Sequence, residues 1–107
     1  MHAVQLSAID LNLLVILSAL LETRSVKDAA ARVSLSPSAT SHALGRLREL
    51  LGDPLLVRAG RQLVPTPRAE ALRPALERFV REGEAVLRAG EDVAPERLER
   101  AFRVLTN

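Results

Sequence analysis

The first long apolar run, LNLLVILSALLE at residues 11–22, repeats leucine at 11, 14, 17 and 21, the spacing of one helical face. Asp10 precedes it as an N-cap. Thr23 and Arg24 break the pattern and SVKD restarts it, with Asp28 three residues after the Ser25 hydroxyl, as in a capping box. The short helix that follows is expected to bury Ala29, Ala30 and Val33, and the small alanines let another helix approach closely. After a turn at Ser34 and Leu35, Ser36 caps a third helix with Pro37 at its first position, where a missing N–H costs nothing. On a 100° wheel Thr40, Ala43, Leu44, Leu47, Leu50 and Leu51 share a broad core-facing side, and Gly52 stops the helix.

The next stretch, DPLLVRAGRQLVPT, carries apolar runs at 55–57 and 63–64 around Ala59-Gly60. It reads as a β-hairpin with Gly60 supplying a positive φ at the tip. From the N-cap Thr66, residues Ala69, Leu72, Leu76, Phe79, Gly83, Val86 and Gly90 alternate steps of three and four, one seam along a long helix. Pro74 lies inside it and is expected to kink it, at about 3 kcal/mol unless tertiary contacts compensate. The seam either folds back on the first helix or meets a second copy, and the dimer is the favoured reading. It would be made by Leu72, Leu76, Phe79, Gly83 and Val86.

These elements predict a mainly α chain. Residues 1–65 form a winged helix-turn-helix of three helices and a two-stranded β wing, and 66–90 a linker helix for dimerisation. Residues 90–95 have linker composition, and the last segment ends in an apolar run, AFRVLTN, too short to do anything alone.

A length of 107 residues suits about one domain, and with 2% aromatics its core must be built from Leu, Val and Ala. The lack of cysteine removes disulfides and thiolate metal sites. No apolar run approaches the roughly 18 residues of a membrane span, and no secretory leader pattern opens the chain. A cytoplasmic protein with no membrane partner is expected. The net charge of +2 hides an asymmetry. Residues 24–68 hold Arg24, Lys27, Arg32, Arg46, Arg48, Arg58, Arg61 and Arg68 against Asp28, Glu49 and Asp53, while the segments on either side are slightly acidic. That middle segment suits a polyanion, although a solvated surface would look the same by charge alone.

The outward face of the third helix sharpens the choice. Ser38, Ser41, His42, Gly45 and Glu49 fall opposite the core face, flanked by Arg46 and Arg48. Short side chains reach base edges only if the helix lies deep in a DNA major groove, and Gly45 permits close approach. The helix N-terminus at Ser36, Pro37 and Ser38 favours a phosphate. Arg46 and Arg48 suit phosphates on either side, and Arg58 and Arg61 of the hairpin suit the backbone or a narrow minor groove. Taken singly, Ser36 is a cap whatever the function, His42 is an ordinary surface histidine, and the hairpin arginines could be solubilising charges. An enzyme is not expected. Ser41 and His42 point about 100° apart and cannot act as a nucleophile–base pair. The sequence also has no metal-ligand cluster or phosphate loop, so no cofactor is expected. A helical interaction module without specific DNA binding is the remaining alternative.

With S-x-x-x-A-A, S-x-x-A-x-S followed by L-x-R-L, G-D-P-L-L-x-R and R-x-G-R in this order, residues 6–88 resemble the N-terminal domain of LysR-type transcriptional regulators. Family members often carry a proline where Pro74 stands. The resemblance implies a winged helix-turn-helix on double-stranded promoter DNA, paired as a homodimer through the linker helix at a roughly palindromic site. It also implies a small-molecule effector bound only by a C-terminal domain, with residues 91–107 as the hinge and the start of that domain, AFRVLTN being its first strand, so the chain is expected to be a fragment without that sensor half. Carried over by position, the base-reading places are Pro37, Ser38, Ser41 and His42, with Arg58 and Arg61 in the wing. The family commonly has glutamine at the position of Pro37 and often arginine at that of His42, so its usual base preference does not transfer.

Overall fold

A computed structural model describes residues 5–91, so the expected hinge and strand beyond residue 91 lie outside the described residues. After a 3-10 turn at Leu6–Ala8 the chain forms α1 (Asn12–Thr23), α2 (Val26–Arg32) and α3 (Pro37–Leu51). A hairpin of β1 (Leu56–Ala59) and β2 (Gln62–Pro65) follows, and then α4 (Pro67–Arg88). The order is the one the hydrophobic pattern predicts.

The core is built round α1, which buries Leu13, Ile16, Leu17, Ala19, Leu20 and Leu21 and packs against α2, α3 and α4. A helix enclosed on three sides needs more than one apolar stripe, which explains its surplus of leucine. The Asp10 carboxylate accepts the Asn12 N–H at 3.0 Å, so it caps α1 although the helix proper starts two residues later. On α3, Thr40, Ala43, Leu44 and Leu47 are buried, whereas Leu50 and Leu51 are only half-buried. The buried Thr40 hydroxyl donates to the Ser36 carbonyl at 3.0 Å, so its polarity is satisfied within its own helix.

Local hydrogen bonds define the turn between α2 and α3. Ser25 Oγ accepts the Asp28 N–H at 3.1 Å. The reciprocal half of the expected capping box is replaced, because the Ser25 N–H goes to Thr23 Oγ1 at 3.3 Å. At the other end of α2 the Leu35 N–H donates to the Ala30 carbonyl at 2.9 Å and the Ser34 N–H to that of Ala31 at 3.4 Å. This is a Schellman closure with Ser34 at φ 59, where glycine is usual. Ser36 Oγ then accepts the Ala39 N–H at 3.0 Å to start α3, and Gly52 at φ 64 ends it.

In the wing, pairing of Leu56 with Pro65 through Ala59 with Gln62 leaves Gly60-Arg61 as a two-residue loop. The loop lies one residue beyond the Ala59-Gly60 tip expected from the sequence. Gly60 has φ 65 and Arg61 is not among the described positive-φ residues, the pattern of a type II′ turn. Leu56 and Leu63 turn into the core, and the Leu63 N–H reaches the Arg24 carbonyl at 3.4 Å.

The seam of α4 divides. Ala69 and Leu76 are buried against the rest of the chain, Leu72 packs on the core, and Phe79 and Val80 are half-buried. Leu76, expected at a dimer contact, is therefore used by the chain's own core, where α4 folds back on α1. Beyond it Gly83 is open, and Val86 and Leu87 are 72% and 82% exposed. Pro74 is exposed inside an unbroken helix, where water can hydrate the carbonyl it leaves unpaired.

Because a non-glycine residue in the left-handed region costs roughly 1–2 kcal/mol, Ser34→Gly relieves part of that cost and loses some to unfolded-chain entropy. We expect a net stabilisation of about 0.5–1 kcal/mol, read as a higher urea midpoint with an unchanged m-value.

Candidate nucleic-acid interface

The first two turns of α3 project Ser36, Pro37, Ser38, Ser41 and His42, all exposed, from a helix whose other side is locked into the core. The Ser36 hydroxyl oxygen is engaged as the cap, while Ser38, Ser41 and His42 make no side-chain hydrogen bond among the described residues. Gly45 is half-buried, and a Cβ there would meet nothing within 4 Å, so glycine is not demanded by packing inside the chain.

The eight central cations have different surroundings. Arg32 pairs with Glu22, and Arg24 lies 3.8 Å from Glu70, which also meets Arg73 at 3.5 Å. Arg68 Nη1 donates to the Leu51 carbonyl at 2.6 Å. Arg48 donates through Nε to Pro54 O and through Nη2 to Leu56 O, both at 2.8 Å. The guanidinium expected to meet a phosphate is thus turned onto the root of the wing. Lys27, Arg46, Arg58 and Arg61 remain without an ion pair or side-chain hydrogen bond among the described residues. All four are exposed. Arg46 lies one turn after His42 on α3, Arg58 lines a groove with Ser41 between α3 and the wing, and Arg61 sits in the wing's loop.

The wing root contains residues that the sequence reading passed over. Asp53 Oδ1 accepts from the Leu55 N–H at 2.8 Å and from Thr66 Oγ1 at 2.7 Å, while Thr66 Oγ1 accepts the Ala69 N–H at 3.1 Å. One carboxylate thus joins the end of α3, the start of β1 and the cap of α4. The Thr66 hydroxyl, then the Leu55 N–H, and more weakly the Arg68 charge hold the Asp53 carboxyl below its ordinary value. The Asp-Pro step of GDPLL signals a turn, but not this three-way role. Among the described residues no group of three or more His, Cys, Asp or Glu could hold a metal ion.

The sequence profile of the bacterial regulatory helix-turn-helix proteins of the lysR family matches residues 11–70, more than half of the chain. The chain belongs to the lysR family. Nodulation protein D 2 of Rhizobium meliloti is 44% identical over 97 residues, which cover 91% of this chain and 31% of that protein. The chain therefore spans about a third of the length of this curated relative. Among solved structures, the probable transcriptional regulator PA0477 from Pseudomonas aeruginosa superposes with a TM-score of 0.71 at 46% identity, over 76% of this chain and 28% of that one. The BenM DNA-binding domain, solved with catB site 1 DNA, gives 0.71 at 22% identity over 81% of this chain and 98% of that one, a likeness of fold. The lysR-family match spans α1 to the first turn of α4, so it includes the exposed face of α3, the wing and the Asp53 junction.

A carboxyl held below its ordinary value contributes stability above that value and loses it as pH falls through the lowered one. Asp53 should therefore make the folded chain lose stability on acidification below its ordinary value of 3.8. Asp53→Asn should be less stable at neutral pH and should close the gap with the wild type as pH falls, compared by urea unfolding across that range.

Proposed function

We propose that this chain is the DNA-binding and dimerisation part of a bacterial transcription regulator, with α3 in the major groove of a promoter duplex. The observation that carries the reading is the exposed, short-chained face of Ser38, Ser41 and His42, bordered by cations that no protein group engages among the described residues. A face with no acid before Glu49 can approach bases closely, and the N-terminus of α3 favours a phosphate at its cap. Arg46 contributes on one flank, while Arg58 and Arg61 bring the wing to the backbone or an adjacent minor groove. Lys27, on the neighbouring helix, adds to the same field. The BenM complex supports the reading to the extent that a domain of this fold is seen on DNA there.

The same proposal assigns the distal part of α4 to a second copy of the chain. Gly83, Val86 and Leu87 leave an apolar strip in water, beyond the stretch where Leu72 and Leu76 pack on the chain's own core. Two copies joined there would present two α3 helices to two half-sites.

In an anisotropy titration, affinity for a duplex selected from a random pool should fall steeply with salt, the slope counting the phosphates neutralised. Arg61→Ala should weaken binding by roughly 1–3 kcal/mol, and Ser41→Glu should abolish it by placing a carboxylate against the bases. A flat salt response, or full affinity in Ser41→Glu, would sink the DNA reading. Separately, Leu87→Asp should shift the sedimentation coefficient from dimer to monomer with the helical content unchanged, and a dimer that persists would remove α4's distal strip from the interface.

A further inference from the structure

We infer that Arg48 is a positioning residue for DNA recognition: it sets the angle between the wing and α3 by clasping a strained turn at Leu55. The inference rests on the DNA reading above and adds to it a residue that acts without touching the duplex. Between α3 and β1 the Leu56 N–H donates back to the Pro54 carbonyl at 2.6 Å, closing a three-residue turn around Leu55. Leu55 has φ 63, so the turn is the positive-φ form of the γ-turn, which is rare and strained. A leucine adopts such a conformation only when its surroundings over-determine it, and strain of this kind gathers where geometry matters.

The surroundings do so completely. Arg48 Nε and Nη2 hold the carbonyls of Pro54 and Leu56, one on each side of the strained residue, at 2.8 Å each. Asp53 accepts the Leu55 N–H, and the Thr66 N–H donates to the Leu55 carbonyl at 2.9 Å. The Leu55 side chain is fully buried and pins the turn from below. The Asp53 and Thr66 contacts come from the wing's own root and the cap of α4, and the Leu55 side chain packs in the shared core. Arg48 is the residue of the body of α3 whose side chain hydrogen-bonds the turn, so it references the turn's backbone directly to the recognition helix.

The position of Arg48 on α3 fits this role. Arg48 lies two turns after Ser41 on the same side of the helix, and both line the groove that Arg58 closes from the wing. A guanidinium reaches two acceptors at once with its planar fork, which a lysine ammonium cannot do in the same geometry. Without the clasp the turn can relax, and Arg58 and Arg61 then leave the arc that meets the duplex held by α3.

The test uses the 107-residue chain and the tightest duplex that its wild type recovers from a random pool, titrated by anisotropy. Arg48→Lys keeps the charge, so a simple phosphate contact would be largely retained, whereas the two-carbonyl clasp is lost. Arg48→Lys is expected to weaken binding about fivefold or more, and Arg61→Ala to do the same. In the Arg61→Ala background the lysine change should cost less than about twofold, because the wing it aims no longer contributes. Wild-type affinity in Arg48→Lys, or equal losses in both backgrounds, overturns the inference while leaving the DNA reading intact. If the wild type recovers no duplex at all, the DNA reading fails first and takes this one with it. Circular dichroism checks that α3 persists. Should the lysine variant not fold, Arg48→Gln, which can reach only one carbonyl, serves with the same two outcomes.

Discussion

The burial of α1 on three sides is the constraint from which the other placements follow. Its buried positions, from Leu13 to Leu21, cover roughly 200° of the helix at 100° per residue, so one neighbour could not shield them. Three helices crowd against it, and each thereby loses the freedom to choose which face it shows to water. For α3 the consequence is functional. Seating Thr40, Ala43, Leu44 and Leu47 against the core leaves Ser38, Ser41 and His42 with only one direction to point. With two phenylalanines and no tryptophan or tyrosine, the interior is filled by leucine and alanine, whose small volumes let the helices sit close.

The wing cannot be placed in that way. It contributes Leu55, Leu56 and Leu63 to the core, too few apolar contacts to define the direction of a four-residue ribbon by packing alone. Polar groups complete the task, with Asp53, Thr66 and Arg48 holding the backbone where side chains cannot. Half of the central cations are used in similar ways inside the domain, either in exposed ion pairs of small worth or on main-chain carbonyls. The charge excess of the segment is therefore a poor measure of what is available to a polyanion. Lys27, Arg46, Arg58 and Arg61 are a better one.

The elements were legible wherever a residue type has a single preferred use. Ser36 with Pro37 and Thr66 with Pro67 mark helix starts, Gly52 marks a stop, and the leucine spacing of α1 and α3 identifies their inner faces. What escaped notice depended on residues acting against type. Ser34 and Leu55 take left-handed backbone that neither advertises, because the reward lies in backbone hydrogen bonds, the closure of α2 at Ser34 and the Asp53 and Thr66 contacts at Leu55, rather than in the residue type. Arg48 reads as a surface cation because sequence spacing shows which side of a helix it occupies but not whether a loop comes to meet it. The seam of α4 was legible as a pattern and not as a division of labour. Its proximal residues pack on α1 and its distal ones do not, and the changeover depends on where α1 ends in space rather than on any residue of α4.

On the DNA reading, the chemistry of the outer face also constrains how selectivity arises. Base discrimination of about 1–3 kcal/mol per contact comes from bidentate pairs, such as arginine on guanine or glutamine on adenine. The exposed start of α3 offers two serine hydroxyls and one imidazole, with Pro37 donating nothing at the helix's first position. One copy would therefore discriminate bases only modestly, while its free cations would bind phosphates irrespective of sequence. Selectivity would have to be built from two such readings at a fixed separation, together with the groove width sensed by arginines on a rigidly aimed wing. The exposed strip on distal α4 would supply the first requirement and the clasped turn at Leu55 the second, so features far from any base would matter as much to selectivity as the residues that touch one.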